Sequence, residues 1–173
     1  MKITNSELEW IKENLEKIEF LQVLNSDQIS KLLPGMTAKN VSGGEIVIRQ
    51  GQHGDTFFLI FNGRVSVWYE KNNKKAKLSE LNKGDYFGEI SLLSGRPATA
   101  TVKANRQTRV FFIDAEMFLS LVRGNAECAQ KITAVMEKRL AGQKKAAETM
   151  VDENLSDISS AIQNFLEGSD KKN

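Results

Sequence analysis

The chain has 173 residues, a formal net charge of +2, and hydrophobic and charged fractions of 40% and 27%. That length suits one domain with helical extensions and a real core. No apolar run reaches bilayer-spanning length, Met1 to Phe20 is a charged amphipathic stretch rather than a signal peptide, and the charge balance makes no case for a nucleic-acid partner. The expectation is a cytoplasmic protein engaging neither membrane nor nucleic acid, whose single Cys128 is a small buried hydrophobe rather than half of a disulfide.

In chain order, Ser6-Glu-Leu-Glu9 has the capping-box pattern, and Leu8, Ile11, Leu15 and Ile18 follow at helical spacing. A second, shorter helix is capped at Asn25-Ser26, carries Ile29, Leu32 and Leu33, and stops at Pro34-Gly35. From Thr37 the period becomes strand-like. Glu45 to Arg49 places Ile46 and Ile48 on one face, and Thr56 to Phe61 is an apolar run short enough for a buried strand. Asn62-Gly63 is the strongest short hairpin signal, since both residues tolerate positive φ. Val65, Val67 and Tyr69 then alternate with Arg64, Ser66 and Trp68 as in a strand covered on one side, 71–75 reads as a polar loop, and Ala76 to Leu81 returns as a strand.

The stretch 84–102 is the centre of the chain. It reads Gly-Asp-Tyr-Phe-Gly-Glu-Ile-Ser-Leu-Leu-Ser-Gly-Arg-Pro-Ala-Thr-Ala-Thr-Val. A turn at Gly84-Asp85 leads to an apolar helical turn from Ile90 to Leu93, which Gly95 and Pro97 stop before a β-branched strand from Thr99 to Val102. The first amides of such a helix lack internal partners, which suits a small anion, and Glu89 adds a carboxylate for ligand hydroxyls. A further strand follows over Thr108 to Ile113. The sequence thus predicts an α+β fold: an antiparallel β-barrel or jelly roll of about eight strands flanked by N- and C-terminal helices.

Asp114 is placed to cap a helix with Met117, Phe118, Leu121 and Val122, and Gly124-Asn125 breaks it. A longer helix has Cys128, Ile132, Val135, Met136 and Leu140 as its apolar stripe, with Lys131, Glu137, Lys138, Arg139, Lys144 and Lys145 on its other faces. A last helix carries Leu155, Ile158, Ile162 and Phe165, with Gly168 as its stop. The expected organisation is helices over 1–36, strands over 37–114, two helices over 115–147, an extra helix over 148–168 and a tail over 169–173.

Phe87-Gly-Glu-Ile-Ser-Leu-Leu-Ser-Gly-Arg-Pro-Ala-Thr-Ala-Thr-Val102 resembles the phosphate-binding cassette of the cyclic nucleotide-binding domain family. Gly44 to Ile48, Gly51, Gly54-Asp55 and Phe61 to Val65 add to the likeness, which extends over roughly residues 20 to 147. The resemblance implies a cAMP or cGMP site in which Gly88, Glu89, Ile90 and Ser91 meet the ligand, Glu89 at the ribose and the amides near Ile90 and Ser91 at the cyclic phosphate. It also implies that the long C-terminal helix, about Ala126 to Ala147, folds over the mouth as a lid.

One position departs from the pattern, because the family's phosphate-pairing arginine falls on Ala98, and the only guanidinium nearby in sequence is Arg96. Charge-assisted hydrogen bonds contribute roughly 1.5–3 kcal/mol each, so the loss amounts to about tenfold to over a hundredfold in affinity. Glu89 reads either as the ribose ligand or as a first-turn acid favoured by the helix dipole. Arg96 reads as a replacement phosphate partner or as a solvated loop arginine. Thr99 reads as a guanine-side contact or as an ordinary strand residue. His53, the one histidine, reads as a surface turn residue without a metal-ligand cluster, and the lysines at 71, 74, 75 and 77 as a solvated tip.

No nucleophile, base and orienter set, metal cluster or phosphate loop points to an enzyme, and no cofactor is implied beyond the suspected nucleotide ligand. Two functions follow. One is a cyclic nucleotide-binding regulatory module that transmits occupancy through its C-terminal helices to a protein effector. The alternative is a degenerate form of the same fold that acts by protein interaction or self-association through its helices.

Overall fold

The first helix begins two residues earlier than the Ser6 pattern suggests. Thr4 is the cap, in extended backbone; its hydroxyl accepts from the Glu7 N–H, and the Glu7 carboxylate accepts from the Thr4 N–H at 2.9 Å. Ser6 therefore lies inside the helix α1 (Asn5–Leu15), which buries Ile11 and Leu15. Glu7 also receives Arg109 Nε at 2.9 Å, tying α1 to the sheet below it. Asn25 caps the short α2 (Ser26–Ser30) reciprocally with Gln28, and Pro34 sits in a 3₁₀ turn, Leu33–Gly35, that leads into the strands. The structure, a computed structural model, describes residues 2–71 and 74–146. The helix expected over 148–168 and the tail after it lie outside these residues.

Among the described residues, eight strands form two open antiparallel sheets of four, not a closed barrel. They are β1 (Thr37–Val41), β2 (Ile46–Ile48), β3 (Thr56–Asn62), β4 (Arg64–Lys71), β5 (Lys74–Asn82), β6 (Tyr86–Phe87), β7 (Thr101–Ala104) and β8 (Thr108–Asp114). One sheet has the order β1-β8-β3-β6 and the other β2-β7-β4-β5. Val41, Ile60, Phe87 and Val110 of the first meet Val65, Val67, Val102 and Ala104 of the second in a shared core. On its opposite face the first sheet packs Phe57, Leu59, Phe111 and Ile113 against the helices. Burial on both faces accounts for the unbroken apolar run Phe57 to Phe61 in β3.

Asn62-Gly63 is not a hairpin. β3 pairs with β6 and β8, whereas β4 pairs with β5 and β7, so the chain passes here from one sheet to the other. The corner is held across the sheets: Arg64 N–H donates to Thr108 Oγ1 at 3.2 Å, and Asn105 N–H donates to the Arg64 carbonyl at 2.9 Å. β4 pairs antiparallel with β5, with Lys71 opposite Lys74 and Glu70 opposite Lys75, so Lys71, Lys74 and Lys75 of the loop expected over 71–75 lie in strands. Lys75 pairs with Glu70 and Lys77 with Glu80, both exposed, in keeping with a solvated tip.

Two helices follow the strands. Asp114 occupies the cap position of α4 (Ala115–Arg123) without a side-chain bond; Ala115 N–H instead donates to the Asp55 carbonyl at 2.7 Å. Phe118 of α4 stacks on Phe57 of β3, with ring centroids 4.7 Å apart. The whole stripe Cys128, Ile132, Val135, Met136 and Leu140 of α5 (Ala126–Ala146) is buried. The Cys128 thiol bonds to the Phe20 carbonyl at 3.0 Å, and burial pushes its pKa up to about 11, which keeps it an unreactive packing residue. Among the described residues no helix is long and apolar enough to cross a membrane.

Candidate ligand-binding site

The cassette is shaped by two left-handed glycines. β6 pairs Phe87 with Phe58 and Tyr86 with Leu59, and the chain then turns at Gly88, at φ 91°, into α3 (Glu89–Ser94). Gly88 passes so close to β3 that a Cβ there would overlap the Thr56 carbonyl. Gly95, at φ 64°, ends α3. The chain next runs past the β2–β3 loop: Ala98 N–H donates to the Gln52 carbonyl at 2.8 Å, and Gly51 N–H donates to the Ala98 carbonyl at the same distance. Exposed His53 bridges Pro97 in this segment. Held this way, Thr99 and Ala100 form a bend, and the strand expected from Thr99 begins instead at Thr101.

Beside the cassette lies a cavity of about 360 Å³, within the usual range for a small-molecule site. Ile48, Val67, Leu78, Leu81 and Val102 of the second sheet, with Phe87, give it an apolar surround. The cassette contributes Gly88, Glu89, Ile90, Ser91, Ala98 and Thr99 to the lining. These residues are brought together as the sequence suggests. Arg96 is not: it is exposed, stands outside the lining, and its N–H bonds the Ser94 hydroxyl at 3.2 Å.

The charged centre is a residue pair that sequence reasoning did not assemble. Glu89 is 1% exposed. Its Oε1 accepts from Arg139 Nη1 of α5 at 2.5 Å. Burial pushes the Glu89 carboxyl above the ordinary carboxylate range, while the Arg139 charge opposes that shift. Arg139 is held further by the Tyr86 carbonyl at 3.3 Å and by the Tyr86 ring, 4.2 Å from its guanidinium carbon. Burial raises the Tyr86 pKa to about 12, so its phenol stays neutral. The Tyr86 ring in turn stacks on Phe57, which stacks on Phe118 of α4. The signal for Arg139 was its place between Met136 and Leu140 of the buried stripe, a boundary position rather than an exposed face.

With Gly142 also in the lining, α5 borders the cavity. Among the described residues no cluster of His, Cys, Asp or Glu could hold a metal ion. A buried carboxylate, an apolar surround and three hydroxyls, from Ser79, Ser91 and Thr99, can hold a compact ring ligand through its own hydroxyls and its flat face.

Comparison with known proteins agrees with this fold. The family model described as the cyclic nucleotide-binding domain matches residues 38–125, just over half of the chain. A cAMP-dependent protein kinase regulatory subunit of Dictyostelium discoideum is 35% identical over 111 residues, 62% of this chain and 34% of that protein. The structure of Sp-2Cl-cAMPS bound to PKAR CBD2 shares 27% identity and a TM-score of 0.66, covering 87% of this chain and 96% of that one. A regulatory subunit of a cAMP-independent protein kinase A from Trypanosoma brucei shares 27% identity and a TM-score of 0.58, covering 66% and 42%. The chain spans about a third or less of the length of such curated relatives. The family match over this sheet pair and its cassette places the chain in the cyclic nucleotide-binding domain family.

Proposed function

We propose that this domain is a regulatory sensor whose cavity takes a ribose-bearing ligand, a cyclic nucleotide or its nucleoside, and whose α5 reports occupancy. The observation that carries the reading is the buried Glu89, which faces the cavity while its Oε1 holds Arg139 of α5. A sugar hydroxyl donating to the same carboxylate adds a second bond to a group that already anchors the helix. Ligand and α5 then stabilise one another through one buried charge, and the mutual gain is the coupling between cavity and surface. Relatives support a regulatory role, since they include a cAMP-dependent kinase regulatory subunit and a regulatory subunit of a cAMP-independent kinase. The role is binding rather than catalysis, and the effector acted upon is a protein reached through the C-terminal helices.

The test is the melting temperature of the full chain with cAMP, cGMP, adenosine and guanosine. A ligand at a hundred times its Kd adds about 2.7 kcal/mol to stability, so at least one of the four should raise Tm in a saturating, concentration-dependent way. Glu89→Ala should abolish the shift while the protein still melts cooperatively. Absence of any shift at millimolar ligand, or a shift that persists in Glu89→Ala, would sink the proposal.

A further inference from the structure

The cavity's charge balance bears on which ligand of this class it takes. Among the described residues that line it, the charged side chains are Glu89 and Arg139, and they neutralise each other at 2.5 Å. Arg139 is not available to an incoming anion without loss. It is stacked on the Tyr86 ring and bonded to the Tyr86 carbonyl, and moving it would leave Glu89, 1% exposed, as an unpaired buried charge. Ala98 is 5% exposed and offers the cavity a methyl group. Arg96 stands outside the lining. The remaining side-chain polar groups in the lining are the hydroxyls of Ser79, Ser91 and Thr99, all neutral.

A cyclic phosphate brings one negative charge into this surround, with only backbone amides and hydroxyls to meet it. Desolvating an ion without a counter-ion is among the most costly steps in binding. A nucleoside presents the same base and a sugar with hydroxyls for Glu89, and brings no charge. We infer that the site selects the uncharged ribonucleoside over its 3′,5′-cyclic phosphate. This inference rests on the cavity being the ligand site, as proposed above. It reverses the preference that the phosphate group would otherwise set, through one small residue.

Titration calorimetry on the full chain decides the matter, with adenosine against cAMP and guanosine against cGMP. The expected result is that the nucleoside of at least one pair binds, and binds about tenfold or more tighter than its cyclic phosphate. Ala98→Arg should reverse the order within that pair. The wild-type comparison stands alone if that variant does not fold. A cyclic nucleotide binding wild type as tightly as its nucleoside, or tighter, overturns the inference and leaves the cavity reading intact. Binding of none of the four overturns both.

Discussion

Replacing Arg139 by methionine should cost the domain about 3 kcal/mol at pH 8 and distinctly less at pH 5. The substitution keeps the side chain long and apolar enough to fill the space above Tyr86, but it leaves Glu89 buried without a counter-charge. Breaking a buried pair from one side typically costs about 3–5 kcal/mol, and the low end applies because the Arg139 side chain is itself 30% exposed. The pH dependence follows from the direction of the Glu89 shift. Its folded-state pKa lies above the ordinary value because of burial, and Arg139 is the group that restrains the shift. Removing Arg139 raises it further. A raised carboxyl contributes stability that is fully present below the unfolded pKa and is lost as pH rises through the folded one. The variant should therefore recover as the solution is acidified and Glu89 takes up a proton. Urea unfolding of wild type and variant at both pH values measures this; equal losses at pH 5 and pH 8 would show that Glu89 is not a buried charge held by Arg139.

Gly88→Ala is expected to destabilise the domain by about 3 kcal/mol or more, the second large effect. Two separate penalties act at this position. A left-handed backbone costs an L-residue roughly 1–2 kcal/mol, and the added methyl group has no room because it meets the Thr56 carbonyl of the neighbouring strand. Gly95 separates the two terms. It is also left-handed, at φ 64°, but nothing lies within 4 Å of a Cβ built there. Gly95→Ala should thus cost only about 1 kcal/mol. Chemical denaturation of both variants gives the comparison. Similar losses would mean that the close approach of Gly88 to β3 does not shape the cassette.

What the sequence revealed, and what it did not, divides by the range of the interaction. The cassette was legible because its shape is local: Gly88 turns the chain, α3 carries Glu89, Gly95 stops it, and the family pattern spans a single contiguous stretch. The apolar stripe of α5 was legible for the same reason, since Cys128 through Leu140 follow helical spacing. The Asn62-Gly63 signal was correct about a turn and wrong about its partners, because the same dipeptide serves a hairpin and a crossing between sheets, and only pairing with β8 decides which. Thr4 displaced Ser6 as the first cap because both begin a Ser/Thr pattern with an acid three residues on, and the chain uses the earlier one. Arg139 read as one of the charged residues on the other faces of α5. Nothing near it in sequence says that a carboxylate fifty residues earlier will be buried beneath it, and an arginine at the edge of a buried stripe looks the same in either role.

These pieces meet at one carboxylate. Glu89 is the buried acceptor that faces the cavity, Arg139 is its partner on α5, and Ala98 offers the cavity a methyl group. If ligand and α5 share Glu89, backbone amide exchange of α5 responds to the ligand. With adenosine, guanosine, cAMP or cGMP added to saturation, whichever of them binds should slow exchange across residues 132–142, and the slowing should disappear in Arg139→Met. A ligand that binds while exchange in α5 stays unchanged, or becomes faster, would contradict the coupling through Glu89.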